Sequence, residues 1–245
     1  MIKMLTSCQS IKGDYREKNQ DRVICRVCQK ENLIFAVAGV CDGIGSMEMS
    51  EQASELVIDG IANWFEGMKE KYCEIPSEDV VADLEETIYE LNELVYEKQI
   101  KSGIPIGCTL SFIMILNMKY YIFHVGDSRI YVIKSQMNQL TVDETVQKNV
   151  NGKIKSFLAN YIGKSNKLWM NRRTGDVQIE DIFVIGSDGL FKGTAFEDFD
   201  AIRKKLHSPK SIESANEQLI NNVQKRGEKD NISCIMLFVH NGNFF

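Results

Sequence analysis

The sequence predicts an α+β protein arranged as a layered sandwich, with buried sheet inside and helices outside. Three observations carry this. Short apolar runs at 106–116, 120–125 and 130–133 are separated by only a few residues, which permits antiparallel hairpins and forbids parallel crossovers. Residues 113–116 are apolar on both faces of a strand, as in a sheet covered on both sides. Two long segments carry apolar residues at helical steps, and such helices need a sheet face to cover.

Taken in chain order, Val23-Ile24-Cys25-Arg26-Val27 reads as a strand. Cys25 and Cys28 have C-x-x-C spacing, but strand positions three apart face opposite sides. No second such pair completes a zinc site. Residues 33–41 form the next β run. Over 47–69, Ala53, Leu56, Val57, Ile61, Trp64, Phe65 and Met68 recur at three- and four-residue steps, and over 77–101 Val81, Leu84, Ile88, Leu91 and Val95 do the same. Ser77 is an N-cap candidate, with Glu78 and Asp79 placed to favour the helix start. After the three hairpin-forming runs come strands at 182–185 and 232–239, with an amphipathic helix at 211–224 between them. No repeat, linker or low-complexity tract interrupts the chain, so residues 1–245 are expected to form a single domain.

Composition narrows the function classes. Hydrophobic residues make up 44% and charged residues 26% of the 245, the values of an ordinary globular protein. With 34 acidic and 29 basic residues the net charge is −5, which gives no global attraction to nucleic acid or an anionic membrane. The longest apolar run is far below the ~20 residues that span a bilayer, and the N-terminus carries no secretory signal. The seven cysteines are scattered, and Cys41, Cys108 and Cys234 sit in apolar runs. A reducing, cytoplasmic setting is expected.

Four aspartates fall where apolar runs stop. Asp42 follows 35–41 and precedes Gly43; Asp127 stands in Gly126-Asp127-Ser128-Arg129; Asp188 follows 183–187; Asp230 and Asn231 open 232–239. Any one of them is ordinary turn chemistry. Four at strand ends suggest convergence, and converging carboxylates at the edge of an apolar core lose hydration and repel one another. A divalent cation relieves both problems, and oxygen ligands without His or Cys favour Mg²⁺ or Mn²⁺.

At this point the chain resembles the metal-dependent protein phosphatases, the type 2C serine/threonine phosphatases, in their compact bacterial form. The resemblance runs from about Gly13 to Val239. It rests on seven motifs in family order: Arg16-Glu17-Lys18-Asn19-Gln20-Asp21, Cys41-Asp42-Gly43-Ile44-Gly45-Ser46, Gly107-Cys108-Thr109-Leu110, Val125-Gly126-Asp127-Ser128-Arg129, Leu140-Thr141-Val142-Asp143, Gly186-Ser187-Asp188-Gly189-Leu190 and Lys229-Asp230-Asn231-Ile232-Ser233. It implies a four-layer α-β-β-α sandwich of two antiparallel sheets flanked by helices, with a two-metal centre of Mn²⁺ or Mg²⁺ at one end. Asp42 would bridge both ions and Gly43 would offer its carbonyl. Asp188 and Asp230 would bind the first ion, and Asp127 would help hold a third, weaker one. Arg16 would grip the substrate phosphate as a guanidinium fork, and Asp21 would hydrogen-bond metal-bound water. The implied reaction is hydrolysis of phosphoserine or phosphothreonine by metal-activated water, without a phosphoenzyme. Implied partners are phosphorylated protein substrates and a cognate kinase on a separate chain, with no nucleic acid and no membrane.

Three departures from the family pattern stand out. Gln20 replaces a common glutamate, which predicts weaker second-metal affinity. Ile44 stands where some members place a histidine proposed as general acid, and Ser46 replaces a frequent glycine. The segment between Asp143 and Gly163 is also short, which predicts an open site with few substrate contacts. His124 is expected to be a packed strand histidine, and His207 and His240 to be surface residues. Two competing functions are a catalytically silent phosphoprotein-binding relative and a serine hydrolase using Ser128 with His240. Retention of the four aspartates argues against the first, because acids are costly to bury unpaired. The second fails because His240 falls in an expected tail.

Overall fold

A computed structural model describes residues 2–15, 17–30, 33–206 and 209–242. The chain runs through Lys3–Ile11 (β1), Arg22–Lys30 (β2), Leu33–Cys41 (β3), Ser50–Met68 (α1), Ser77–Ser102 (α2), Leu110–Leu116 (β4), Lys119–Val125 (β5), Arg129–Ile133 (β6) and Met137–Gln139 (β7). It continues through Thr145–Val150 (β8), Lys153–Leu158 (β9), Asn171–Asp176 (β10), Ile182–Gly186 (β11), Asp188–Gly193 (α3), Phe196–Lys205 (α4), Pro209–Lys225 (α5) and Ile232–His240 (β12). The strands form two five-stranded antiparallel sheets, ordered β1-β12-β11-β6-β7 and β10-β5-β4-β3-β2, and a separate β8–β9 ribbon.

Strand alternation explains the layers. In β3, Ala36, Ala38 and Val40 face the other sheet and meet Phe183, Ile185, Ile235 and Leu237. The intervening Phe35 and Val37 face α1 and α2, packing with Val57, Ile61, Phe65 and Ile88. Phe35 stacks on Phe65 at 4.8 Å and on Tyr72 at 5.0 Å, with Trp64 edge-on at 5.9 Å. On the far side, Val184, Cys234 and Met236 pack against Ile202, Leu219 and Val223 of α4 and α5. β4 and β12 are buried at every residue, which is why both read as unbroken apolar runs. Each such side chain contributes about 1.5–3 kcal/mol by leaving water.

Some local expectations change. Pro76, not Ser77, occupies the N-cap of α2, and no side chain caps it; Ser77 begins the helix instead. The helix closes at Gly103 with φ 68°, the left-handed conformation that glycine adopts without strain. His240 is a buried residue of β12, 5% exposed, rather than part of a surface tail. The sheet pairs it with Lys3 of β1, a strand too polar to read from the sequence. His207 lies outside the described residues. Cys25 packs on the inter-sheet core and Cys28 on the helix side, as strand alternation requires. Among the described residues, no helix is long and apolar enough to cross a membrane.

Candidate active site

One end of the sandwich collects the polar strand ends. β3 stops at Cys41 and delivers Asp42; β11 stops at Gly186 and delivers Ser187 and Asp188; Asp230 and Asn231 immediately precede β12. Antiparallel pairing sets Gly186 opposite both Cys234 and Arg129, so these ends share one edge. Asp127 stands in the turn between β5 and β6, which belong to different sheets.

Backbone hydrogen bonds fix these positions. The Asp42 amide donates to Thr109 Oγ1 at 3.0 Å, and the Thr109 amide donates to the Asp42 carbonyl at 2.8 Å. Thr109 and Ser128 hydroxyls are 2.8 Å apart, which ties the loop carrying Asp42 to the one carrying Asp127. Gly126 has φ 106°, a conformation that a side chain would strain, and a Cβ there would also lie 2.7 Å from Thr109 Cγ2. At Gly189 a Cβ would lie 2.2 Å from the Asn231 carbonyl oxygen. Only glycine lets the start of α3 close against the Asp230 turn.

The result is a cavity of 520 Å³ lined by Asp42, Gly43, Asp127, Asp188, Lys192 and Asp230, among others. Burial, then the charges of Asp21, Asp188, Asp127 and Asp230, hold Asp42 well above the ordinary carboxylate range. Burial and the charges of Asp188 and Asp143 push Asp127 up to about 6. Asp21 is 2% exposed and is likewise pushed to about 6, by burial first; its Oδ2 accepts from Ser233 Oγ at 2.6 Å. Among the described residues, Asp21 Oδ1 is buried with no hydrogen-bond partner.

Among the described residues, cations within the cavity do not balance this charge. Lys192 Nζ lies 2.5 Å from Asp188 Oδ2, while Arg129 is committed to Asp143 at 2.7 Å. The donor set, all oxygen and short of positive charge, fits hard divalent ions. Among the described residues, no three His, Cys, Asp or Glu side chains are grouped to hold one ion by themselves. An ion here would take few carboxylates and complete its shell with carbonyl and water oxygens, as Mg²⁺ characteristically does.

The structure therefore brings Asp42, Gly43, Asp127, Asp188 and Asp230 to one cavity and sets Asp21 behind them. Arg16 lies outside the described residues. Gln20 lines an adjoining cavity with Ser46 and Glu51, and its side-chain amide donates to Ser50 Oγ at 2.5 Å. His124 is 1% exposed and held between Ser111 Oγ at 2.9 Å and the Val142 carbonyl at 3.0 Å, a packed strand histidine. Lys192 was not singled out from the sequence, although its position four residues after Asp188 on a helix is an ion-pair signal. The short segment after Asp143 also differs from expectation. It forms the β8–β9 ribbon, whose Thr145, Ser156, Phe157 and Leu158 line the cavity.

Comparison with known proteins adds to this geometry. Residues 15–235 match the family described as Protein phosphatase 2C. The chain is similar to the serine/threonine protein phosphatase PstP of Mycobacterium tuberculosis, at 26% identity over 88% of this chain and 43% of that protein. It thus spans under half the length of that relative. It is 25% identical to a putative protein phosphatase of Mycoplasma genitalium, over 93% of this chain and 92% of that one. Its fold matches the PstP catalytic domain solved in complex with two manganese ions, with a TM-score of 0.76 at 22% identity, covering 98% of this chain and 100% of that one.

Proposed function

Because the chain belongs to the protein phosphatase 2C family, we propose that it is a metal-dependent phosphatase that hydrolyses phosphoserine and phosphothreonine in proteins. The observation that carries this reading is the surroundings of Asp42, a half-buried carboxylate among the charges of Asp21, Asp127, Asp188 and Asp230. Burying such a cluster without compensation is costly, and the cost has a purpose if cations occupy the cavity. The similar catalytic domain with two manganese ions supports the same choice of Mn²⁺ or Mg²⁺.

In this reading Asp42, Asp188 and Asp230, with the carbonyl of Gly43, would hold the ions, and Asp127 would help hold a third, weaker one. Ions bound there would lower the pKa of a coordinated water and offset charge on the phosphoryl oxygens. The protein's own groups do the positioning. Asp21, held behind the cavity by Ser233 Oγ, would accept a hydrogen bond from water in the site. Arg16 would grip the phosphate, since a guanidinium fork suits its oxygens. Ile44 has no proton to give, so the departing serine or threonine oxygen takes its proton from water. We place the protein in the cytoplasm, consistent with seven free cysteines, acting against a kinase carried on a separate chain.

The test is hydrolysis of an aryl phosphate with Mn²⁺ and with EDTA. Turnover should require the ion and fall by at least about 100-fold in Asp42→Asn, while Ser128→Ala retains it. Calorimetry showing bound Mn²⁺ without turnover of aryl phosphate or phosphopeptide would refute the reading and favour a phosphoprotein-binding module.

A further inference from the structure

Among the described residues that line the cavity, positive charge comes from Arg129 and Lys192. The two are held differently. Arg129 donates from Nε to Asp143 Oδ1 at 2.9 Å and from Nη2 to Asp143 Oδ2 at 2.7 Å, a bidentate clasp. Its guanidinium also lies 5.9 Å from the centre of the Phe191 ring. Lys192 pairs with Asp188 Oδ2 at 2.5 Å, one helical turn earlier in α3. Its side chain is 52% exposed, yet the ammonium turns toward the acids rather than into water. Burial opposes its charge, but Asp188, Asp230 and Glu228 outweigh burial and hold Lys192 above the ordinary lysine range. Its charge also favours the ionised form of Asp127.

The backbone beneath this lysine is fixed, and the side chain is not. Leu190 is buried in the core that holds Val223 and Ile232. At Gly193 a Cβ would lie 2.8 Å from Val223 Cγ1, so α3 sits close against α5. Thr194 Oγ1 donates to the Leu190 carbonyl at 2.6 Å and closes the helix. Lys192 therefore leaves Asp188 by rotation about its own side-chain bonds. A half-exposed ion pair is weakly held, and positive charge taken up by Asp188 would repel the ammonium. The stem keeps the expelled charge at the mouth of the same cavity. A phosphoryl group brings negative charge there, and a lysine ammonium is a compact point charge with three donors that suits phosphate oxygens.

We infer that Lys192 is a phosphate-binding residue held in reserve on Asp188. It leaves Asp188 when that carboxylate takes up an ion, and its ammonium then contacts the phosphoryl oxygens of the substrate and of the phosphate product. This role rests on the phosphatase reading and adds a binding residue to it. Arg129 is unsuited to the task, because its fork is committed to Asp143. One side chain thus has two opposite effects: it hinders the ion and helps the phosphate. A lysine that only neutralised Asp188 would show the first effect alone, and a lysine of the helix surface would show neither.

The experiment compares the full wild-type chain with Lys192→Met, Lys192→Gln and Lys192→Arg, each checked for folding by circular dichroism. Calorimetry gives Mn²⁺ affinity. Kinetics in saturating Mn²⁺ give kcat and KM for a phosphothreonine peptide and the inhibition constant of inorganic phosphate. Lys192→Met and Lys192→Gln should bind Mn²⁺ a few-fold more tightly. They should also raise both KM and the phosphate inhibition constant by about tenfold, with kcat nearly unchanged, as expected for loss of a charge-assisted contact common to ground and transition states. Lys192→Arg keeps the charge and should return both constants toward wild type. Turnover by the wild type together with an unchanged phosphate inhibition constant in Lys192→Met and Lys192→Gln overturns this inference and leaves the phosphatase reading intact, whether or not Mn²⁺ affinity rises. A loss confined to kcat overturns it in the same way. Absence of Mn²⁺-dependent turnover by the wild type on aryl phosphate and phosphopeptide overturns both.

Discussion

Replacing Asp127 by asparagine should stabilise the metal-free protein. In the folded state Asp127 is raised from 3.8 to about 6 by burial and by Asp188 and Asp143. The folded protein therefore binds this proton more tightly than the unfolded chain does. The resulting stability is fully present below pH 3.8, declines as pH rises through about 6, and is gone at pH 7.5. There an ionised Asp127 disfavours folding by roughly 3 kcal/mol, which partial exposure reduces to about 1–2 kcal/mol. An amide of the same shape carries no charge to desolvate. In EDTA at pH 7.5, urea unfolding of Asp127→Asn should show about 1–2 kcal/mol more stability than wild type, a rise of a few degrees in Tm. At pH 4 the difference should disappear. With saturating Mn²⁺ the order should reverse, because the ion stabilises whichever protein binds it more tightly. A variant no more stable than wild type in EDTA at pH 7.5, or equally stabilised at both pH values, would refute the account of the site as a cluster of mutually repelling carboxylates.

Other expectations follow from the same geometry. Gln20→Glu should tighten Mn²⁺ binding several-fold by calorimetry, since it adds a charge beside the Gly43 loop; saturation as tight in wild type would count against it. Lys192→Met should also tighten Mn²⁺ binding by a few-fold, because an incoming ion would no longer displace an ammonium held 2.5 Å from Asp188; unchanged affinity would show that the lysine does not compete. Gly189→Ala should lower stability by about 3 kcal/mol or more in urea unfolding, since its Cβ meets the Asn231 carbonyl at 2.2 Å. A loss under 1 kcal/mol would mean that the turn adjusts freely.

What the sequence reveals and conceals follows from burial. β3, β4, β11 and β12 are covered on both faces, so their apolar runs are plain, and Asp42, Asp188 and Asp230 stand out as the acids that end or open them. α1 and α2 are legible because one face of each is buried. β1 and β10 are edge strands held largely by backbone hydrogen bonds to β12 and β5, which leave little mark in composition. Thr6, Ser7, Gln9 and Ser10 of β1 carry no strand-like apolar run. The β8–β9 ribbon buries almost nothing along its length, so its residues keep no hydrophobic pattern to read. Asp127 is visible as a turn acid, but its place between the two sheets is not, because pairing of β6 with β11 depends on residues 49 to 57 positions away.

That last placement has a mechanical meaning. Asp42 extends from one sheet, Asp188 and Asp230 from the other, and Asp127 from the chain passing between them. A cation gripping these side chains would clasp the two leaves of the molecule at a single end. Loading the ion should then slow amide hydrogen exchange in β3 and β12 together, although the two strands share no ladder.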